Sequence, residues 1–364
     1  MVGLNKKQQL IFKYLINLMY QIKEIKDKKT WNDFVINGNF KFYSFLASWE
    51  WWEFKKGFWF PILRYGIYNK DNELIWVLPA IKTLAKRWTY LFAPHTPLIK
   101  WDYFEVLKSI KNDLINIWKK EKASFIRFNP PVENTFENYK KFKDLWFRSA
   151  PIHEHAEETH LLDLTKSEEE LFNQIKKKDR YYINRAKKEW VKIRIDNEPD
   201  HIETLIKMHQ EHSKKVWYHP FSEKYIKNLY KYFGDNIKTI STSYNWKIES
   251  ILMTIKFWET CVYYIAASDI VSKKFSPNYL CQFEAIMNAK KDGAKVYNFW
   301  WVASDDNPKH PLYGVSLFKR KFWGKDFFLI HAQDLIISPK YWFTYLIESL
   351  RRIKRWYYYI IPKK

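Results

Sequence analysis

Lys178-Asp179-Arg180-Tyr181-Tyr182-Ile183-Asn184-Arg185-Ala186-Lys187-Lys188-Glu189-Trp190-Val191 reads as the end of a charged helix running into a strand. The helix is expected over 167–190, opened by Ser167 with Glu170 three places on, a pair that satisfies each other's backbone N–H groups. Val191–Ile195 carries the strand pattern. Where a helix stops ahead of a strand, the first residue past its end turns left-handed and is usually glycine. Here it is Trp190. The same misplacement recurs in Tyr244-Asn245-Trp246-Lys247, between two apolar runs where Asn-Gly would make a two-residue hairpin. Lys321-Phe322-Trp323-Gly324-Lys325 likewise reads as a Gly-Gly turn.

Composition repeats the point. The chain has 19 tryptophans and only 8 glycines in 364 residues, where average usage predicts roughly 25 glycines. The codon UGA means tryptophan in one variant genetic code and glycine in another. The sequence therefore raises the expectation that many tryptophans are glycines in the native protein, the alternative being a genuinely tryptophan-rich chain. The candidates are Trp52, Trp59, Trp76, Trp88, Trp146, Trp190, Trp217, Trp246, Trp258, Trp301 and Trp323.

The length suits two domains of about 150 to 180 residues, and 47% apolar residues are enough to build a core. A net charge of +22 points to an anionic partner such as nucleic acid, a membrane surface or a phosphorylated substrate; an AT-rich genome inflating lysine is the competing explanation. Cys261 and Cys281 make no disulfide framework, so a cytosolic setting is expected. No run of 18 uncharged apolar residues exists to span a bilayer. The apolar run 10–20 carries Lys13 and no small-residue cleavage site, unlike a signal peptide.

Residues 5–27 read as a basic amphipathic helix. Strands are expected over 61–67, 74–79, 90–92 and 124–128, with a helix over 102–120. The order repeats after residue 155. Strands over 159–164, 191–195, 237–243, 248–257, 261–268 and 296–299 interleave with helices over 201–212, 222–232 and 279–292. Two α/β units of mixed order imply a tandem α+β fold. The last 25 residues read as a basic aromatic helix, suited either to a membrane interface or to packing on the body.

Several stretches together resemble the FemABX family of aminoacyl-tRNA-dependent peptidoglycan transferases. Ser44-Phe45-Leu46-Ala47-Ser48-Trp49-Glu50-Trp51 resembles its "FLQSxEW" block, and Arg127-Phe128-Asn129-Pro130 its "RxDP" strand. Leu161-Leu162-Asp163-Leu164 followed by residues 178–191 resembles "LDL … K-x-R-x-x-I-x-x-A-x-K-x-G-V", with Trp190 at the glycine. Glu284-Ala285-Ile286, Gly293 and Tyr297-Asn298-Phe299-Trp300-Trp301 resemble "EAIxxAKxxG…YDFxG", and Leu312–Arg320 resembles "GLxxFKxGFGG". The blocks keep family order across residues 31–335, and the family's glycines fall on Trp52, Trp190, Trp301 and Trp323.

The resemblance implies two tandem GNAT-like (acyl-CoA N-acyltransferase-like) domains facing a common cleft, with no coiled-coil arm. With the helical readings of the two ends, this gives an N-terminal helix at 1–30, domains at 31–153 and 154–335, and a C-terminal basic aromatic helix at 336–364. It implies transfer of an amino acid from aminoacyl-tRNA to the stem peptide of a lipid-linked or nucleotide-linked peptidoglycan precursor, without a cofactor. The protein would be a monomeric cytoplasmic enzyme, peripheral at the inner membrane surface. Lys319 after Phe318 matches the family's reaction-centre Phe-Lys. Lys55 matches a position that holds the acceptor's diphosphate. Tyr225 and Tyr279 match acceptor-contacting tyrosines, and Lys177, Lys178, Arg180 and Arg185 make a rail for the tRNA backbone. Two departures stand out: the family's domain-1 aspartate is Asn129, and an arginine that some members place four residues before Tyr225 is Phe221. The alternatives are a GNAT-fold acyltransferase with another acyl donor, and a non-catalytic RNA-binding protein. No phosphate-cradling glycine loop for acyl-CoA is present. His153, His155 and His160 with Glu154, Glu157 and Glu158 could be read as a metal cluster, but no recognised ligand spacing supports it.

Overall fold

A computed structural model describes residues 20–85, 88–100, 104–216, 219–269, 276–304, 307–355 and 362. The chain divides into two compact units, residues 1–157 with 329–364, and residues 158–328.

In chain order, the first unit holds β1 (Tyr20–Glu24), α1 (Lys28–Asn37), α2 (Trp49–Lys56), β2 (Ile62–Asn69), β3 (Leu74–Leu84), β4 (Thr89–Pro94), β5 (Leu98–Ile99), α3 (Phe104–Lys120), β6 (Ala123–Asn129), α4 (Phe136–Asp144) and β7 (Arg148–Ser149). The second holds β8 (Glu158–Asp163), α5 (Glu168–Gln174), α6 (Lys177–Lys188), β9 (Lys192–Asp196), α7 (Pro199–Val216), α8 (Glu223–Phe233), β10 (Ile237–Tyr244), β11 (Lys247–Phe257), β12 (Thr260–Ser268), α9 (Pro277–Lys291), β13 (Val296–Trp301), α10 (Tyr313–Lys319) and β14 (Lys325–Phe328). The chain then returns to the first unit with β15 (Gln333–Ile336) and α11 (Tyr341–Arg355).

Each unit is one mixed sheet. The strand orders are β1-β2-β3-β4-β6-β15-β7, with β5 on β3, and β14-β8-β13-β12-β11-β10-β9. The same device appears once in each. β4 leads through α3 to β6, and β12 through α9 to β13, and these are the parallel pairs in otherwise antiparallel sheets. A parallel neighbour needs a crossover, and a helix covering the sheet supplies it. Ile110, Leu114 and Trp118 of α3 lie in the first core, and Leu280, Phe283 and Ile286 of α9 in the second.

Three expectations need correction. The helix expected over 5–27 gives way at Tyr20–Glu24 to a strand paired with β2 from Tyr20↔Asn69 to Glu24↔Tyr65; residues 1–19 lie outside the described residues. The long helix expected over 167–190 is two helices. Ser167 and Glu170 do form the capping box, but Ile175 is extended, with φ −66° and ψ 135°, and buried in the core. Leu171 and Ile175 before the break and Ile183 after it all lie in one core. Finally, residues 329–336 belong with the first unit, because β15 pairs with β6 and β7.

Among the described residues, seven tryptophans have left-handed backbone: Trp59, Trp146, Trp190, Trp246, Trp258, Trp300 and Trp323, with φ between 51° and 71°. No described phenylalanine, tyrosine, leucine, isoleucine or valine does. Of the other sequence candidates, Trp52, Trp76, Trp88 and Trp301 keep ordinary φ, and Trp217 lies outside the described residues. The family motif points to Trp301, but the left-handed residue of that pair is Trp300.

Candidate active site

Parallel strands β12 and β13 pair only from Thr260↔Val296 to Val262↔Asn298 and then part. In the first unit, β4 and β6 stay paired to the end at Pro94↔Asn129. The splay therefore lies in the second unit, and Tyr263, Tyr264, Phe299, Trp300 and Trp301 sit where the strands diverge. The carboxyl ends of parallel strands are where α/β sheets place ligands.

Lys319, at the last turn of α10, reaches this point. Its Nζ donates to the Trp301 carbonyl at 2.7 Å and lies 5.4 Å above the Tyr263 ring. The side chain is only 5% exposed, and burial pushes its ammonium down to about 7. A solvated surface lysine is thereby ruled out. α10 is held against the end of β13 by Ser316, whose Oγ accepts from the Ala303 N–H at 2.6 Å. Phe318 packs instead into the core, with its ring 5.3 Å from Tyr279 and 5.4 Å from Phe322. It supports the site rather than facing it.

Tyr279 is buried, stacks near Tyr182 of α6 at 5.1 Å and hydrogen-bonds Lys321 Nζ. Lys321 in turn stands 3.7 Å from Asp179, a buried carboxylate on α6. Sequence reasoning missed this Asp179–Lys321–Tyr279 group, because Asp179 is masked by the basic residues around it. Tyr225 is on another face of the unit. Its hydroxyl meets Tyr264 Oη at 2.8 Å, and its ring stacks on Phe221 at 4.5 Å. Burial holds both phenols far above their ordinary range. Phe221, in the place of the expected arginine, and Ser222 line an open cavity of about 730 Å³ together with Gln210, Lys214 and His219. The Trp300 ring lies edge-on to Tyr264 at 6.2 Å. Beside it, Asn298 accepts the Trp300 N–H at 2.8 Å, while its own Nδ2 is buried without a partner.

On α6, Lys177 and Lys178 are exposed. Arg180 is tied to the Asn173 carbonyl at 2.5 Å, and Arg185 to Glu189 and the Tyr181 hydroxyl. Of the four residues expected to form the rail, the two lysines are the outward charges. In the first unit, Lys55 sits over the Trp51 ring at 4.6 Å, with Phe54 and Phe60 nearby. Burial pushes it down to about 8 against the attraction of Glu154. Lys56 is exposed, so the structure distinguishes two neighbours that the sequence left interchangeable.

Among the described residues, one group brings metal-type ligand atoms together: His153, Glu157 and His331. His331 is a partner that sequence spacing could not reveal. Glu157 Oε2 faces His331 Nδ1 at 2.7 Å and His153 Nδ1 at 2.9 Å, while Oε1 accepts from Asn129 and Ala332. These are hydrogen-bond spacings, and the carboxylate is held at about 2 although burial opposes it. Asn129, in the place of an expected aspartate, donates to Glu157 here, so the cluster fastens β6 to the segment that returns at residue 331.

α11 presents two faces. Tyr341 and Glu348 turn inward, to Asp334 at 3.2 Å and to Arg127 at 2.7 Å. Phe343, Leu346, Leu350 and Ile353 form an outward apolar stripe, 59% to 70% exposed. Among the described residues, no helix is long and apolar enough to cross a membrane.

The repeated strand–helix–strand device and the splay define a tandem acetyltransferase-like fold. Its fold is similar to that of FemX, at 16% identity, TM-score 0.79, covering 90% of this chain and all of that one. A conserved protein of unknown function from Bacteroides thetaiotaomicron has 14% identity and TM-score 0.55, covering 87% of this chain and 99% of that one. A tandem GNAT protein from the clavulanic acid biosynthesis pathway has 7% identity and TM-score 0.52, covering 88% and 99%. No curated protein matches. The FemAB family model matches residues 155–250 and 241–349, together more than half of the sequence. The chain belongs to the FemAB family.

Proposed function

We propose that this protein transfers an amino acid from aminoacyl-tRNA to the stem peptide of a peptidoglycan precursor. The observation that carries the reading is Lys319, a buried ammonium at the splay of β12 and β13, on a fold assigned to the FemAB family. The donor ester is already activated, so no covalent enzyme intermediate is needed. The stem-peptide amine attacks the ester carbonyl, the C–N bond forms, the C–O bond to ribose breaks, and the amine's proton ends on the ribose oxygen. Negative charge passes through the carbonyl oxygen, and a preorganised cation in a dry site stabilises it far more than one in water. Lys319 supplies that charge in its protonated form, which it holds below about pH 7. Lys177 and Lys178 suit the tRNA backbone, and the caged Lys55 suits a diphosphate.

The outward stripe of α11 and the net charge of +22 support peripheral attachment to an anionic bilayer, each basic residue near the surface adding about 1 kcal/mol. The inward Tyr341 and Glu348 support a structural role as well, so the two sequence alternatives for this helix are compatible.

The test is to incubate the protein with mixed charged tRNAs and with either lipid-linked or nucleotide-linked precursor, and to read product mass. Lys319→Ala should lower kcat at least about a hundredfold, as loss of one oxyanion contact does; near-normal kcat removes Lys319 from the mechanism. Acyl-CoA in place of charged tRNA tests the other acyl donor. For the membrane, Leu346→Glu with Leu350→Glu should weaken binding to anionic vesicles without lowering thermal stability. Unchanged binding refutes the role of the stripe.

A further inference from the structure

We infer that positions 59, 146, 190, 246, 258, 300 and 323 are glycine in the protein the cell makes, and that at 300 this glycine opens a groove for the acceptor beside Tyr264. The second part rests on the proposed function; the first does not.

The molecule contains its own control. α9 ends with Gly293 at φ 83°, whose N–H bonds the Lys290 carbonyl while Ala294 bonds Ala289. This paired closure is the Schellman motif, which wants glycine at its left-handed residue. α6 closes identically, with Trp190 to Lys187 at 3.3 Å and Val191 to Ala186 at 3.1 Å. α4 does so with Trp146 to Lys143 and Phe147 to Phe142. Lys122, after α3, shows that a non-glycine residue can take such a backbone, but a flexible polar chain there is ordinary, whereas both indoles stand in water, 80% exposed.

The hairpins agree. Tyr244 pairs with Lys247 across Asn245-Trp246, at φ 47° and 66°, the backbone of an Asn-Gly type I′ turn. Phe257 pairs with Thr260 across Trp258-Glu259, left-handed at the first residue only, where a II′ turn has glycine. Trp323 is the most decisive. Its φ 71° and ψ −178° fall in a region that only glycine populates freely.

Trp300 differs from the other six in being buried. Its ring closes against Tyr264, which bonds Tyr225, and Asn298 beside it keeps a buried amide donor unpaired. A buried donor without a partner asks for an acceptor, which a ligand or a water can bring. With glycine at 300 the space beside Tyr264 is vacated next to that donor, giving a groove for an extended peptide with carbonyl acceptors.

Tandem mass spectrometry of the protein isolated from its own cells tests the first part. Tryptic peptides spanning 189–192, 239–247 and 322–325 should each carry glycine at 190, 246 and 323. Tryptophan at any of them overturns the assignment there, and tryptophan at all three overturns the inference. For the groove, two recombinant forms are compared, one with all seven Trp→Gly substitutions and one with the six that leave position 300 as tryptophan. The seven-substituted form should show at least about a tenfold lower KM for the precursor, with the KM for charged tRNA unchanged. Equal KM values overturn the groove. If neither form makes product, the functional reading fails while the peptide result still decides residue identity.

Discussion

Lys319→Met tests whether the site keeps a charge at the expense of stability. Burial moves this ammonium from the ordinary 10.5 to about 7, which at 1.36 kcal/mol per pH unit corresponds to about 5 kcal/mol. The sign follows from proton counting. Below pH 7 both folded and unfolded chains carry the charge, and folding bears the full desolvation penalty. Between 7 and 10.5 only the unfolded chain holds the proton, so the penalty shrinks as pH rises. Methionine matches the length of the stem without the charge, but leaves the Trp301 carbonyl without its donor, at a cost of about 1 to 3 kcal/mol. The variant should therefore be more stable than wild type by about 2 to 4 kcal/mol at pH 6. The gain should fade through pH 8 and reverse near pH 10. Urea denaturation of both proteins at matched pH reads this difference directly, since the other titrating groups are shared. A variant less stable at pH 6, or a difference that does not change with pH, would refute the claim that Lys319 is desolvated in the folded protein. Gained stability with lost turnover is the trade expected of a catalytic group.

Asp334→Asn should cost about 3 to 5 kcal/mol in urea unfolding, because it weakens the bidentate partner of the buried Arg127 guanidinium; a loss below 1 kcal/mol would mean that Glu348 alone suffices. Lys55→Ala should raise the KM for the precursor about tenfold, the scale of one charge-assisted contact, while Lys56→Ala leaves it unchanged; equal effects would remove the distinction drawn from the aromatic cage. Trp323→Gly should stabilise the protein by about 1 to 3 kcal/mol, the strain stored at such a backbone, and a destabilised variant would show that the indole carries its own packing.

Much of the second unit could be read from the sequence, because its strands are local and its turns announce themselves. Asn245-Trp246 fixes the β10–β11 hairpin even with an unexpected residue in it, and Ser167 with Glu170 marks the start of α5. The break at Ile175 leaves no trace, since neither proline nor glycine stands there and the periodicity continues on both sides. β1 was hidden by its neighbours: five residues of alternating burial are too few to outweigh an apolar run read at helical spacing. Lys319 was legible from the order of motifs, but its burial was not, because that depends on α10 docking on β13. His331 and Asp334 could not be placed at all; their partners lie more than 170 residues away.

The position of β15 also governs how the chain is made. It enters the first sheet between β6 and β7, and among the described residues β7 has no other strand to pair with. A ribosome delivers residues 1–157 first, yet this sheet stays open along β6, with Arg127 lacking both its carboxylates, until residues 334 and 348 have emerged. The second unit, contiguous from 158 to 328, has every strand it needs before that moment. Vectorial synthesis therefore favours completion of the second unit ahead of the unit that starts the chain. During that interval the nascent protein carries an exposed strand edge, which makes it a client for chaperones until translation is nearly complete.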